Sequence, residues 1–219
     1  MLEDKLAEID RKIIKQSSLV KEMLSFSQKA LTESKGELYS DLKEELEPEV
    51  NDLELEIDEA CINLLALYNP EASDLRRVMA ILKMNNDIER MGDLAVSICQ
   101  RIRDIEDSHQ IVTSKKLREM AEIVSDMLND CIDAFINSDS EKAKEVIKTD
   151  EEVDQLRKNV ITDLVREMFE NPNIIENTMQ LINVANKLER MGDHATNISE
   201  DVYYMVKGKI IKHDLQNKI

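Results

Sequence analysis

The sequence predicts an all-α fold built as a tandem repeat of two antiparallel three-helix bundles. Three observations predict it. Only 4 glycines and 3 prolines punctuate 219 residues and tryptophan is absent, as in chains rich in long amphipathic helices. Apolar residues recur at the three- and four-residue spacing of a helix seam. Residues 85–102, NNDIERMGDLAVSICQRI, align without gaps on residues 185–202, ANKLERMGDHATNISEDV. Asn86, Glu89, Arg90, Met91, Gly92, Asp93, Ala95 and Ile98 recur as Asn186, Glu189, Arg190, Met191, Gly192, Asp193, Ala195 and Ile198. Such agreement in one register indicates duplication.

The first repeat, residues 1–108, is expected to hold helices at 2–33, 37–68 and 70–107. The first helix closes near Ser34-Lys35-Gly36. The second carries a seam of Leu46, Val50, Leu53, Ile57, Ala60, Leu64 and Leu67. Asn69-Pro70 reads as the N-cap and first residue of the third helix. The second repeat, residues 109–219, is expected to hold helices at 110–137, 139–170 and 172–211. Ser138-Asp139-Ser140-Glu141 reads as a capping box, and Asn171-Pro172 repeats the Asn-Pro opening. Short connections make successive helices antiparallel.

Charge and composition exclude several functions. A net charge of −17 repels a phosphate backbone, so direct nucleic-acid binding is not expected. Cys61, Cys99 and Cys131 fall in or beside apolar stripes and suit neither a disulfide framework nor a zinc site. The chain begins charged, and no apolar run approaches the roughly 20 residues that span a bilayer. Three histidines, His109, His194 and His213, no nucleophile paired to one of them and no phosphate-cradling glycine loop argue against an enzyme. A di-iron bundle needs two Glu-x-x-His motifs on facing helices plus two further glutamates, and Glu106-x-x-His109 supplies one motif only.

The third helix of each repeat carries a clear core stripe: Ile81, Met84, Ile88, Met91, Ala95, Ile98 and Ile102, then Leu181, Val184, Leu188, Met191, Ala195, Ile198 and Val202. Glu89 and Asp93, like Glu189 and Asp193, fall just off it and stack one turn apart. On the preceding helices Glu47 and Asn51, and Asp150 and Asp154, have the same spacing. Antiparallel packing is expected to set each pair beside its partner, giving four oxygen-bearing side chains suited to Mg²⁺, Ca²⁺, Mn²⁺ or iron. One such pair alone reads as a solvated acidic face; the same string twice in one register reads as a site. Gly92 and Gly192 within helices imply the close approach of a neighbour. His194 is expected at the surface, and Arg76 and Arg77 are open between a partner contact and an ion pair. The methionines read as core filler.

The two (I/L)ERMGD strings, with Ala72-Ser73-Asp74-Leu75-Arg76-Arg77-Val78, Ile57-Asp58-Glu59-Ala60-Cys61 and Val202-Tyr203-Tyr204-Met205-Val206-Lys207-Gly208, resemble the PhoU family from about residue 7 to 212. The resemblance implies a cytoplasmic accessory protein of the phosphate ABC transporter that restrains the phosphate-starvation response and catalyses nothing. It implies as partners the transporter's ATPase subunit and a membrane sensor histidine kinase, membrane association through those partners only, and a homodimer. It also implies multinuclear clusters of iron or another hard ion (Mn, Mg, Ca or Zn) held by E(D)xxxD motifs. Carried over residue by residue, the motif falls on Glu89 and Asp93, Glu189 and Asp193, and Asp150 and Asp154. Asn51 departs from it, and Pro48 follows Glu47, so the N-terminal site is expected to be the weaker. The alternative reading is a helical protein that stores or senses metal.

Overall fold

A computed structural model describes residues 2–33, 37–105 and 115–211, and the regular elements within them are all helical. The first repeat comprises α1 (Leu2–Glu33), the short α2 (Glu37–Asp41), a π turn (Leu42–Leu46), α3 (Glu47–Tyr68) and α4 (Ala72–Arg103). The second comprises α5 (Lys115–Asn137), α6 (Ser140–Glu170), a 3-10 turn (Pro172–Ile174) and α7 (Ile175–Lys207). The expected boundary at residues 108 and 109, and His109 and His213, lie outside the described residues.

Within each repeat the three long helices pack on one another, α1 with α3 and α4, and α5 with α6 and α7. The repeats are also joined to each other. α4 lies along α7 as extensively as α6 does, and α1 meets α5. One apolar core therefore runs through both repeats. Every residue of the two predicted stripes on α4 and α7 is buried. α4 also buries Ala80, Asn85, Leu94, Val96 and Cys99, which lie off that stripe, as a helix covered on more than one side must.

Several expected boundaries are corrected. The helix at 37–68 is interrupted by the π turn, where Glu47 N–H donates to Leu42 O, five residues back. Pro48 has no N–H and its ring crowds the carbonyl four residues back, so the widened turn takes up the misfit. Asn69 does not cap α4; at φ 44° it is the left-handed C-cap of α3, and α4 opens two residues beyond Pro70. In the second repeat Asn171 caps the 3-10 turn, its side chain accepting from Asn173 N, and α7 itself opens at Ile175 without a side-chain cap. The expected capping box is replaced by a one-sided cap one residue later, since the third residue beyond it is Lys142 rather than a glutamate. Asp139, not Ser138, is the N-cap of α6, accepting from the backbone N–H groups of Glu141 and Lys142, while Ser138 turns the chain at φ 52°. α7 ends at Lys207 rather than 211, because Gly208 adopts φ 66° and stops it.

The predicted α3 seam holds at Val50, Leu53, Ile57 and Leu64, but Leu67 is 73% exposed and Cys61 is buried where Ala60 was expected. A strict three-four spacing falls behind a straight helix by about 20° per heptad, and three heptads carry Leu67 off the buried side.

Candidate functional site

In the second repeat, α6 presents Asp150 and Asp154 to Glu189 and Asp193 on α7. Burial, and then the negative charges of Asp193, Asp154 and Glu189, push the Asp150 carboxyl up to about 6. Glu189 is raised by burial and by Asp193, and Asp193 by burial and by Asp154. Arg157 stands 3.9 Å from Glu189 Oε1, while its Nε donates to Asn186 Oδ1 at 2.9 Å. The four predicted residues are thus brought together, with the Arg157 and Arg190 guanidiniums near enough to offset part of the rise at Glu189 and Asp193.

Gly192 makes this approach possible. A Cβ there would stand 3.2 Å from Asp150 Oδ1 and 3.5 Å from Val153 Cγ1. Gly92 has a different neighbour, since its Cβ would meet Met23 Sδ of α1 at 3.3 Å. Close packing accounts for both glycines, against different helices.

In the first repeat, Glu89 is raised by burial and by Asp93, and Asp93 by burial and by Glu47. Glu89 Oε2 is buried without a hydrogen-bond partner. Two cations attend this group. Lys43 Nζ lies 2.6 Å from Glu47, and Arg90 lies 3.6 Å from Glu89 and 3.7 Å from Asp93. Asn51 is exposed. The sequence reading missed Glu54, whose negative charge helps to raise Glu89. Glu54 follows Glu47 by two helical turns and stands 100 residues before Asp154, the offset that superposes the repeated strings. Applying that offset to α3 as well as to α4 finds it.

Carboxylates crowded above their ordinary range lack positive charge, and oxygen donors of this kind suit a hard cation. The buried Glu89 oxygen that accepts no hydrogen bond, with only Arg90 at 3.6 Å, fits the same need. Among the described residues, however, no three Asp, Glu, His or Cys side chains are gathered into a ready ligand set.

His194 points away from Asp193's neighbours on α6. Its Nδ1 donates to the Asp87 carboxylate across the repeats at 2.7 Å, so it is half-buried and paired rather than a surface residue. Arg77 takes the ion-paired role, donating from Nε and Nη2 to both oxygens of Asp10 at 3.0 Å and lying 4.7 Å from the Phe135 ring centre. Arg76 Nε donates to Met205 O at 3.4 Å. The three cysteines are buried and free, and burial pushes the Cys61 and Cys99 thiols up to about 12, which keeps them protonated.

A polar cleft of about 360 Å³ adjoins the first-repeat carboxylates, lined among others by Lys43, Arg90, Lys187, Arg190 and His194. Burial, with Arg101 and Arg190 nearby, pulls the Lys187 ammonium below its ordinary value.

The sequence profile of the family described as PhoU domain matches residues 13–102 and again residues 117–202. A phosphate-specific transport system accessory protein PhoU homolog of Aquifex aeolicus is 36% identical over 208 residues, covering 95% of this chain and 94% of that protein. Another, from Pseudomonas putida, is 34% identical over 209 residues, covering 95% and 81%. The crystal structure of PhoU from Pseudomonas aeruginosa superposes with a TM-score of 0.88 at 30% identity, over 95% of this chain and 100% of that one. The phosphate transport system regulatory protein PhoU from Streptococcus pneumoniae gives 0.88 at 26% identity, over 96% and 99%.

Proposed function

The chain belongs to the PhoU family, and from that premise we propose that it regulates phosphate uptake as a non-enzymatic accessory of a phosphate ABC transporter. It restrains the phosphate-starvation response by linking the transporter's ATPase subunit to a sensor histidine kinase at the cytoplasmic face of the membrane. The observation that carries this reading is the extent of the family match, one copy in each repeat and nearly end to end. The relatives' own names, transport system accessory protein, describe a regulatory partner rather than a catalyst. No described helix is long and apolar enough to cross a membrane, which agrees with membrane contact through partners.

The paired carboxylates are its hard-cation sites. Asp150, Asp154, Glu189 and Asp193 hold one, and Glu47, Glu54, Glu89 and Asp93 the other. A bound cation supplies the positive charge that lets these carboxylates stay ionised side by side. The burial and crowding of Asp150 and the buried Glu89 oxygen that accepts no hydrogen bond support this reading.

Capture of partners on the full chain, from an extract of phosphate-replete cells, tests the function. The transporter's ATPase subunit is expected among the bound proteins. Its absence, together with unchanged phosphate repression in a strain lacking this protein, would overturn the reading.

A further inference from the structure

α4 and α7 run antiparallel where the repeats meet, with Arg76 opposite Met205, Lys83 opposite Asp201, Asp87 opposite His194 and Arg101 opposite Gln180. Exchanging each residue with the one 100 positions away maps this contact onto itself. The Asp87–His194 pair maps onto Lys187 and Leu94, and the Lys83–Asp201 pair onto Asn183 and Arg101.

The two ends of the groove are therefore opposite in charge. At one end Lys83 Nζ lies 2.7 Å from Asp201, and His194 Nδ1 lies 2.7 Å from Asp87. At the other, each position that was acidic in these pairs is now a cation, and its counterpart partner is neutral. Arg101 reaches the Gln180 amide oxygen at 3.3 Å, and among the described residues no carboxylate is paired with Arg101 or Lys187. Glu200 at the first end likewise becomes Gln100 at the second. Lys187 and Arg190 line the cleft of about 360 Å³ together with Lys43, Arg90, Gln100 and Ser97, and with the Glu47 and Asp93 carboxylates on its first-repeat side. Arg101 stands outside this lining, near enough to Lys187 for their charges to act on each other. Like charges held together at a part-buried position need a counter-charge. In a chain of net charge −17, such a local surplus of positive charge is also what would draw an anion to this face.

We propose that this end of the α4–α7 groove is an oxyanion site, in which Lys187, Arg101 and Arg190 bind a phosphoryl group. The planar guanidinium forks offer paired donors to phosphoryl oxygens, and the ammonium adds a point charge. The phosphoryl group belongs either to inorganic phosphate or to a phosphomonoester, for which the cleft has room. The choice of phosphate over other oxyanions rests on the function proposed above. The site itself rests on the charge reversal.

Calorimetric titration of the full chain at fixed ionic strength, with inorganic phosphate, phenyl phosphate or sulfate, tests the site. One phosphate per chain is expected, in chelator-treated protein as well as in protein loaded with Mn²⁺. Lys187→Asp and Arg101→Asp, which install the residue of the opposite end, are expected to weaken binding at least about tenfold. Lys187→Gln, a milder change, is expected to weaken it in the same direction while leaving the melting temperature unchanged. Lys83→Asn, at the opposite end, should leave affinity within about twofold. The tighter of inorganic and phenyl phosphate names the source. No saturable binding, equal binding of sulfate, or binding that appears only with Mn²⁺ and survives Lys187→Gln would overturn the proposal. Loss of phosphate binding with capture of the transporter subunit intact would remove this site alone, and the reverse result would remove the proposed function alone.

Discussion

Asp150 is the residue at which crowding is greatest, and its protonation should be visible in stability. The folded carboxyl keeps its proton up to about 6, whereas an ordinary aspartate releases it near 3.8. The folded state therefore binds this proton more tightly, and lowering the pH from 7 through 6 stabilises the chelator-treated protein. The gain is complete below the unfolded value and is lost as the pH rises through 6. Asp150→Asn should raise the melting temperature at pH 7 and flatten its rise between pH 7 and pH 5, measured by thermal unfolding in chelator; an unchanged slope would show that Asp150 does not carry it. Cation binding should separate the two sites. Each site has an arginine beside its Glu-x-x-x-Asp pair, but Lys43 lies 2.6 Å from Glu47 whereas Arg157 stands 3.9 Å from Glu189, so the less neutralised second site should fill first in a Mn²⁺ titration. Glu189→Gln with Asp193→Asn should remove the tighter class of ions, and Glu89→Gln with Asp93→Asn the weaker. Full wild-type stoichiometry in both would refute the sites. The Glu-x-x-x-Asp pairs of α4 and α7 were legible because both members sit on one helix. Glu54 was not, since it lies two turns from Glu47 and a search at four-residue spacing passes over it. The His194–Asp87 pair depends on the α4–α7 register, which sequence periodicity does not carry.

At the scale of the element, the core stripes of α4 and α7 were legible to the residue because helices buried along their length repeat an apolar side every turn. Caps were less so, because Ser138, Asp139 and Ser140 are all competent N-caps in sequence. The backbone decides among them: Ser138 occupies the left-handed turn and leaves the two free N–H groups to Asp139. Asp139→Ala should then cost about 1 kcal/mol, read as a lowered denaturation midpoint, whereas Ser140→Ala should have a smaller effect. Equal effects would place the cap back on the serine. The π turn before Pro48 is similar, since Pro48 announces a disturbance in the sequence and only the backbone shows that the helix widens rather than ends.

Across the whole molecule, the duplication and the three long helices of each repeat were legible, but the short α2 and the joining of the repeats were not. The amphipathic stripes suggested that each half could close by itself. The additional burial on α4 and the length of its contact with α7 argue otherwise. Separated halves should stay partly helical yet melt broadly, and regain cooperative unfolding when mixed. Halves that each melt sharply alone would show that the contact adds little. This contact also has a consequence for how the molecule can change. Two identical single repeats meeting about a dyad would repeat every substitution at both ends of their shared groove, so an acid at one end would be matched by an acid at the other. Linking the repeats in one chain releases that constraint: Asp87 and Lys187 occupy equivalent places with opposite sign, a division of labour that no symmetric pair can reach.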